Sequence, residues 1–303
     1  MIKKLGYLIA VFLLGLLIYQ VYDYFAFEKA RESYVQQKGI ETTEALRDQV
    51  DGILSRIVTE GGRLADLLGN NTYTSAEIEQ IIKESSLSIT EIQGVTACFE
   101  PYAFAKDQEL FCPYYNKGDG SYLYVGKSYD YSKIGKGTAW YTSVRDEGAK
   151  WVEPYYAQGA KDWYIDYGIP FYYTSGPNKG KVRGTITMSF VASGFKNLIH
   201  SLSLGKTGYG MITSSEGNFL AHPINEYIGT TNLKDVLEKE SQEELQKAYQ
   251  AILNGESSSV TFRDENVQDE SLFYYDKIPS SGWGIGLLFY KNDLLGDQRE
   301  VNG

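Results

Sequence analysis

Acids, bases and metal ligands that could do chemistry are sparse in this chain of 303 residues, which holds two histidines and two cysteines. His200 falls in an apolar helical run and His222 in a His-Pro pair at a strand end. Neither has a Cys, Asp or Glu nearby at metal-ligand spacing, so no metal centre is expected. The nucleophile elbow Gly-x-Ser-x-Gly does not occur. Asp162 and Asp166, spaced i, i+4 on a predicted strand, share one face; they read as the acid pair of an exported hydrolase or, more commonly for such a pair, as a solvated edge. The stretches Gly118–Gly120 and Gly205–Gly210 lack the Lys-Ser/Thr ending and following helix of a phosphate loop, so they read as turns. These patterns assign no catalytic residue and no cofactor.

Cys98 and Cys112 lie on the two arms of a predicted hairpin. A disulfide between them closes a loop of about 15 residues and stabilises by roughly 3 kcal/mol in the chain-entropy model. Two reduced, buried thiols are the alternative, and the register of the hairpin decides between them.

The remaining chemistry is aromatic. The chain carries 26 tyrosines against 13 phenylalanines, an excess suited to wet, concave surfaces as well as to strands. Three of its four tryptophans, Trp140, Trp151 and Trp163, fall in one stretch with Tyr141, Tyr155, Tyr156, Tyr164, Tyr167, Phe171, Tyr172 and Tyr173. Strands send alternate members of such a run to one face, so some rings pack a core while others line a cavity with hydroxyls and indole N–H groups. The formal net charge is −10, and no basic cluster lies beyond the first few residues, which excludes a nucleic-acid partner.

These residues need a scaffold, and the pattern supplies one. Leu5 to Tyr22 carries no charge over 18 residues, which as a helix spans ~27 Å, close to the ~30 Å hydrocarbon core of a bilayer. With Lys3 and Lys4 before it and Asp23, Glu28 and an aromatic belt after it, this span leaves residues 1–4 in the cytoplasm and everything after about residue 28 outside. A cleaved secretory signal is the rival reading, and it too exports the remainder. From Phe27 to Leu68 apolar residues recur every three or four positions at Leu46, Val50, Ile53, Leu54, Ile57, Val58, Leu64 and Leu68, which predicts one long amphipathic helix growing from the membrane helix. It is placed to pack on the domain beside it and to form a dimer seam. A second helix comes after it, capped at Thr74-Ser75.

Strands come next: 94–102 and 109–116 as a hairpin, 122–131, 151–156, 163–173 and 181–190, with a short helix at 140–147 and a connecting helix at 195–202. A second strand set begins at Gly208, with strands in 208–223, a helix at 243–253, a strand at 258–264 and a closing hairpin over 271–290.

In that order, the segments Ala139-Trp140-Tyr141, Trp151-x-Glu153-Pro154-Tyr155-Tyr156, Gly168-Ile169-Pro170-Phe171-Tyr172, Gly184-Thr185-Ile186-Thr187, Glu216-Gly217-Asn218-Phe219-Leu220-Ala221-His222-Pro223 and Trp283-Gly284-Ile285-Gly286 resemble the double Cache sensor domain of bacterial transmembrane receptors over roughly residues 30–295. The resemblance implies an α+β fold: an N-terminal transmembrane helix and a long helix carrying two tandem PAS-like antiparallel-sheet modules. Its divisions are 1–4, a transmembrane helix at 5–27, the long stalk helix and second helix at 28–90, a membrane-distal module at 91–203, a membrane-proximal module at 204–292 and the start of a returning helix at 293–303. The resemblance implies that the distal module holds a small-molecule ligand with Trp140, Tyr141, Trp151, Tyr155, Asp166 and Tyr172, and that a homodimer forms through the long helix. In the amino-acid-binding branch, charged residues stand where this chain has Thr138, Ala157 and Ser189, so free α-amino acids are not expected as ligands. The Trp-Tyr, Trp-x-Glu-Pro-Tyr-Tyr and Ile-Pro-Phe-Tyr trio is more like Cache domains preceding metal-dependent phosphatases or nucleotide cyclases. An exported saccharide- or peptide-binding module without signalling output is the alternative.

Overall fold

The computed structural model describes residues 2–157, 162–202, 204, 208–264 and 269–293. One helix, α1 (Ile2–Asn70), runs through both the predicted membrane span and the predicted stalk without interruption, a length of about 100 Å. Its residues 11–27 stand exposed. It is the one helix among the described residues long and apolar enough to cross a membrane. Further along, the apolar stripe turns inward: Leu46, Val50, Leu54 and Ile57 are fully buried against the sheets. Gly39 is required there, because a Cβ would sit 2.2 Å from the Tyr274 ring. Arg183 donates to the carbonyls of Leu68 and Asn71, both at 2.8 Å, closing the far end of α1 and placing a cation where a helix terminus favours one. The short α2 (Ser75–Ser88) begins with a capping box between Thr74 and Glu77.

The first sheet comprises β1 (Gly94–Phe99), β2 (Pro113–Asn116), β3 (Ser121–Tyr124), β4 (Lys150–Trp151), β5 (Tyr155–Ala157), β6 (Asp162–Tyr172) and β7 (Val182–Val191). All its pairs are antiparallel, in the order β3-β2-β1-β7-β6-β4, with β5 also on β6. Helix α3 (Ala139–Glu147) lies between β3 and β4 in the chain. The stretch 151–156, expected as one strand, is divided into β4 and β5 with Pro154 between them; proline has no N–H for the ladder. The expected strand at 122–131 gives way to a 3-10 turn at Val125–Lys127.

Helix α4 (Ala192–His200) follows β7 directly and leads to the second sheet: β8 (Tyr209–Thr213), β9 (Phe219–Ala221), β10 (Ser258–Asp264), β11 (Asp269–Lys277) and β12 (Gly284–Tyr290), in the order β10-β11-β12-β8-β9. Helices α5 (Leu233–Leu237) and α6 (Glu243–Leu253) lie between β9 and β10 in the chain. The pattern reading missed α5, whose Asn232–Asp235 capping box stabilises five residues too short to show a helical period. One apolar core runs from α1 through both sheets, from Val95 and Ile186 of the first to Leu272 and Leu287 of the second. Of the returning helix predicted at 293–303, only residue 293 is described, the last of a helical stretch at 291–293, and the rest lies outside the described residues.

Candidate functional site

The alternation of β1, β6 and β7 gives the first sheet two different faces. One set of positions (Val95, Ala97, Phe99, Ile165, Tyr167, Phe171, Ile186, Met188, Phe190) joins the core that includes α1. The alternate positions form the other face, on which α3 packs. Gly168 permits the close approach of α3, since a Cβ there would meet Val144 Cγ2 at 2.2 Å. Register aligns Asp166 with Ser189 and Gly94, Gly168 with Thr187 and Thr96, and Pro170 with Thr185 and Cys98. On the next strand Tyr114 pairs with Thr96.

This second face is polar and buried together, which is unusual for a sheet interior. Asp166 is 1% exposed, and Thr185, Thr187 and Ser189 are buried. Asp166 Oδ2 accepts from the Tyr155 hydroxyl at 2.7 Å. Its other oxygen, Oδ1, has no hydrogen-bond partner, and neither do Tyr114 Oη, Thr185 Oγ1 and Thr187 Oγ1. Four of the nine such orphaned atoms among the described residues therefore gather on one sheet face, where native interiors leave few. No cation among the described residues pairs with Asp166. Burial raises its carboxyl to about 6, against the opposing pull of the Tyr155 and Ser189 hydroxyls. Ser189 is near enough to act on the carboxyl but not to satisfy Oδ1.

Aromatic rings close over this carboxylate. The Trp140 indole N–H donates to Tyr129 Oη at 3.2 Å. The Tyr155 and Tyr164 rings lie 6.3 Å apart. Burial is the largest cause raising the phenol pKa values of Tyr114, Tyr129, Tyr155 and Tyr164, and Asp166 adds to it in each. The Cys98 and Cys112 sulfurs are joined as a disulfide, and both cysteines pack in the same cluster as Trp140, Tyr141 and Val144.

The six residues singled out above divide. Trp140, Tyr155 and Asp166 meet on the polar face. Tyr141 is fully buried behind Trp140 and donates its hydroxyl to Glu100, so it supports the wall. Trp151 turns to the opposite side: its ring lies 5.1 Å from Tyr167 and 5.0 Å from Trp283 of the second module. Tyr172, 43% exposed, ends β6 past a register shift, near the end of α1, where Gly69 abuts its carbonyl. Asp162 and Asp166 do not form a solvated pair either: Asp162 accepts from Ser193 near the surface, while Asp166 is sealed. Sequence reasoning does not single out Tyr114, Tyr129, Tyr164, Thr185 and Thr187 as site residues, and no local motif marks any of them. Cross-strand register brings Tyr114, Thr185 and Thr187 to this face, Tyr164 stands two residues before Asp166 on β6, and Tyr129 lies in the bend after Val125–Lys127. Thr138, where the amino-acid-binding branch carries a cation, donates to the Lys133 and Gly135 carbonyls at 2.6 and 3.1 Å.

Comparison with known proteins agrees with this architecture. The extracellular domain of mmHK1S-Z3, described as a histidine kinase, is similar at 19% identity and a TM-score of 0.64, covering 89% of this chain and 97% of that one. The periplasmic sensory domain of the Campylobacter jejuni chemoreceptor Tlp1 is similar at 14% identity and a TM-score of 0.68, covering 88% and 98%. The ligand-binding domain of Mlp24, solved with asparagine, is similar at 18% identity and a TM-score of 0.53, covering 87% and 95%. No curated protein matches the chain. A family model described as a Cache domain, of the double-Cache type, matches residues 27–297. The chain therefore belongs to the Cache domain family of extracytoplasmic sensor domains.

Proposed function

We propose that this chain is the sensing region of a membrane-anchored signalling receptor, and that its membrane-distal module recognises a small organic cation lacking a carboxylate. Asp166 carries this reading: a sealed carboxylate without a cationic partner, bordered by unused hydroxyls and aromatic rings. A protonated amine or quaternary ammonium group supplies the missing charge, and ring faces attract cations by about 0.5–2 kcal/mol each. An α-amino acid brings its own carboxylate, for which Thr138 provides no counter-charge, and burying it unpaired costs several kcal/mol. Trp140, Tyr129, Tyr155 and Tyr164 form the cage, and Tyr141 and the disulfide brace it. Tyr129, 44% exposed, marks the entrance.

Occupation of the chamber biases one of two arrangements of the modules on α1, so the signal is a population shift set by differential affinity. Residues 5–27 anchor the chain, and the residues after about 28 stand outside the cell. The exposed Tyr34 and Ile40 on α1 suit a dimer seam. The output domain lies in the cytoplasm and is of phosphatase or cyclase type, as the aromatic motifs favour. A reading frame continuing past Gly303 into a second apolar span and such a domain separates this reading from an exported binding module.

A thermal-shift screen of the chain in detergent against primary amines, diamines, quaternary ammonium compounds, α-amino acids and sugars tests the ligand class, because binding to the native state alone raises the melting temperature. Hits confined to cations and lost in Asp166→Asn support it. Hits among sugars or free amino acids overturn it.

A further inference from the structure

We propose a second small-molecule site, in the membrane-proximal module, that takes a short-chain carboxylate. A cavity of about 380 Å³ opens between the end of α4, the start of β8 and the His222-Pro223 pair after β9. That volume is within the range of small-ligand sites, about 300–1,000 Å³. Ile199, Leu202, Leu204 and Pro223 make its apolar wall, and the polar side chains lining it are Lys196, His200, Tyr209 and His222.

The polarity of those groups selects the occupant. His222 Nδ1 accepts the Ile224 backbone N–H at 3.0 Å, so in the neutral ring the proton sits on Nε2. The imidazole is half-buried and stacked on Tyr227 at 4.8 Å. Burial holds its pKa down to about 4, keeping it neutral at pH 7. Nε2–H has no acceptor among the described residues and is left to donate. The Lys196 ammonium bonds the Asn225 side-chain oxygen at 2.5 Å and pairs with no carboxylate of the described residues. A site with one positive charge, an imidazole N–H and no lining carboxylate, on an apolar floor, complements a monoanion with two acceptor oxygens and a small apolar body. An amine is repelled by Lys196, and a polyol finds too few acceptors.

The site is placed to act on the same machinery as the first. Its wall residue Ile199 lies on α4, which continues β7, and Ser189 of β7 faces Asp166. Gly210 of β8 packs so close to Ile199 that a Cβ would stand 2.8 Å from Cγ2. An occupant of this cavity therefore bears on the connector between the modules.

The test uses the full chain in detergent, labelled with ¹⁵N-histidine, titrated with sodium butyrate and with butyramide at matched ionic strength. Two histidines make the spectrum simple to assign with a His200→Gln variant. Butyrate should perturb the His222 Nε2 resonance saturably and butyramide should not. Lys196→Gln should weaken butyrate at least about tenfold, as expected for one charge-assisted hydrogen bond, with Lys196→Arg retaining it. Asp166→Asn should remove the cation response while a saturable butyrate response at His222 persists, so failure of either site is told apart from failure of the other. No saturable response at His222, an equal response to butyramide, or unaltered affinity in Lys196→Gln overturns the assignment.

Discussion

Glu153 accepts a hydrogen bond from the side-chain amide of Asn218 at 2.8 Å, across the boundary between the two modules. Ser214 donates to the same oxygen at 2.6 Å. Two residues after Glu153, Tyr155 reaches the buried Asp166, and two residues before it, Trp151 packs on Trp283. Asn218 is itself held by Asn232, the N-cap of α5. One short segment thus reaches the buried Asp166 at one end and grips the second module at the other.

Removing that grip should loosen the boundary while leaving the Tyr155–Asp166 contact in place. Glu153→Ala leaves the donors of Ser214 and Asn218 in a partly buried place without their acceptor, a loss of about 1–3 kcal/mol. Chemical denaturation should show that loss, and hydrogen exchange should quicken in the 214–232 segment. Unchanged exchange there would mean that the contact holds nothing.

Asp166 makes stability depend on pH with a definite sign. Its folded-state value of about 6 lies above the unfolded value, so stability is fully present below about pH 4 and falls as pH rises through 6, by about 3 kcal/mol in all. Asp166→Asn should flatten that part of the profile, making the variant the more stable form at pH 8, and should abolish cation binding. Parallel profiles for the two proteins would show that the carboxyl is not sealed as described.

Trp140 and Trp151 should separate in their effects. Trp140→Ala should weaken the cation at least about tenfold, the scale of one desolvated cation–π contact. Trp151→Phe, on the opposite face, should keep affinity within about threefold while lowering stability through its contact with Trp283. Equal losses of affinity would return Trp151 to the ligand.

Reduction of the Cys98–Cys112 bond should lower the denaturation midpoint by an amount equivalent to roughly 3 kcal/mol. A Cys98→Ala/Cys112→Ala double variant should reproduce it. Identical midpoints with and without reductant would show that the bond contributes nothing.

Periodicity is enough to place the core stripe of α1, because Leu46, Val50, Leu54 and Ile57 obey a helical spacing that any single sequence displays. The family motifs likewise lead to Trp140 and Tyr155. Depth is not legible: alternation puts Asp162 and Asp166 on one face, yet α3 and the rings cover only the latter. Tyr114 and Thr187 come to the face of Asp166 through register between strands distant in sequence, which no local pattern encodes. Trp151 departs from its expected place for a related reason: the break at Pro154 separates β4 from β5, and Trp151 and Tyr155 meet different surroundings.

Isothermal titration of the full chain with a panel of amines and quaternary ammonium compounds, at pH 7.5 and pH 5, is the most direct test of the central claim. At least one cation should bind saturably at pH 7.5 and lose affinity below pH 6 as Asp166 takes up its proton, with no binding to Asp166→Asn. Binding of a free α-amino acid, or cation binding indifferent both to pH and to Asp166→Asn, would contradict it.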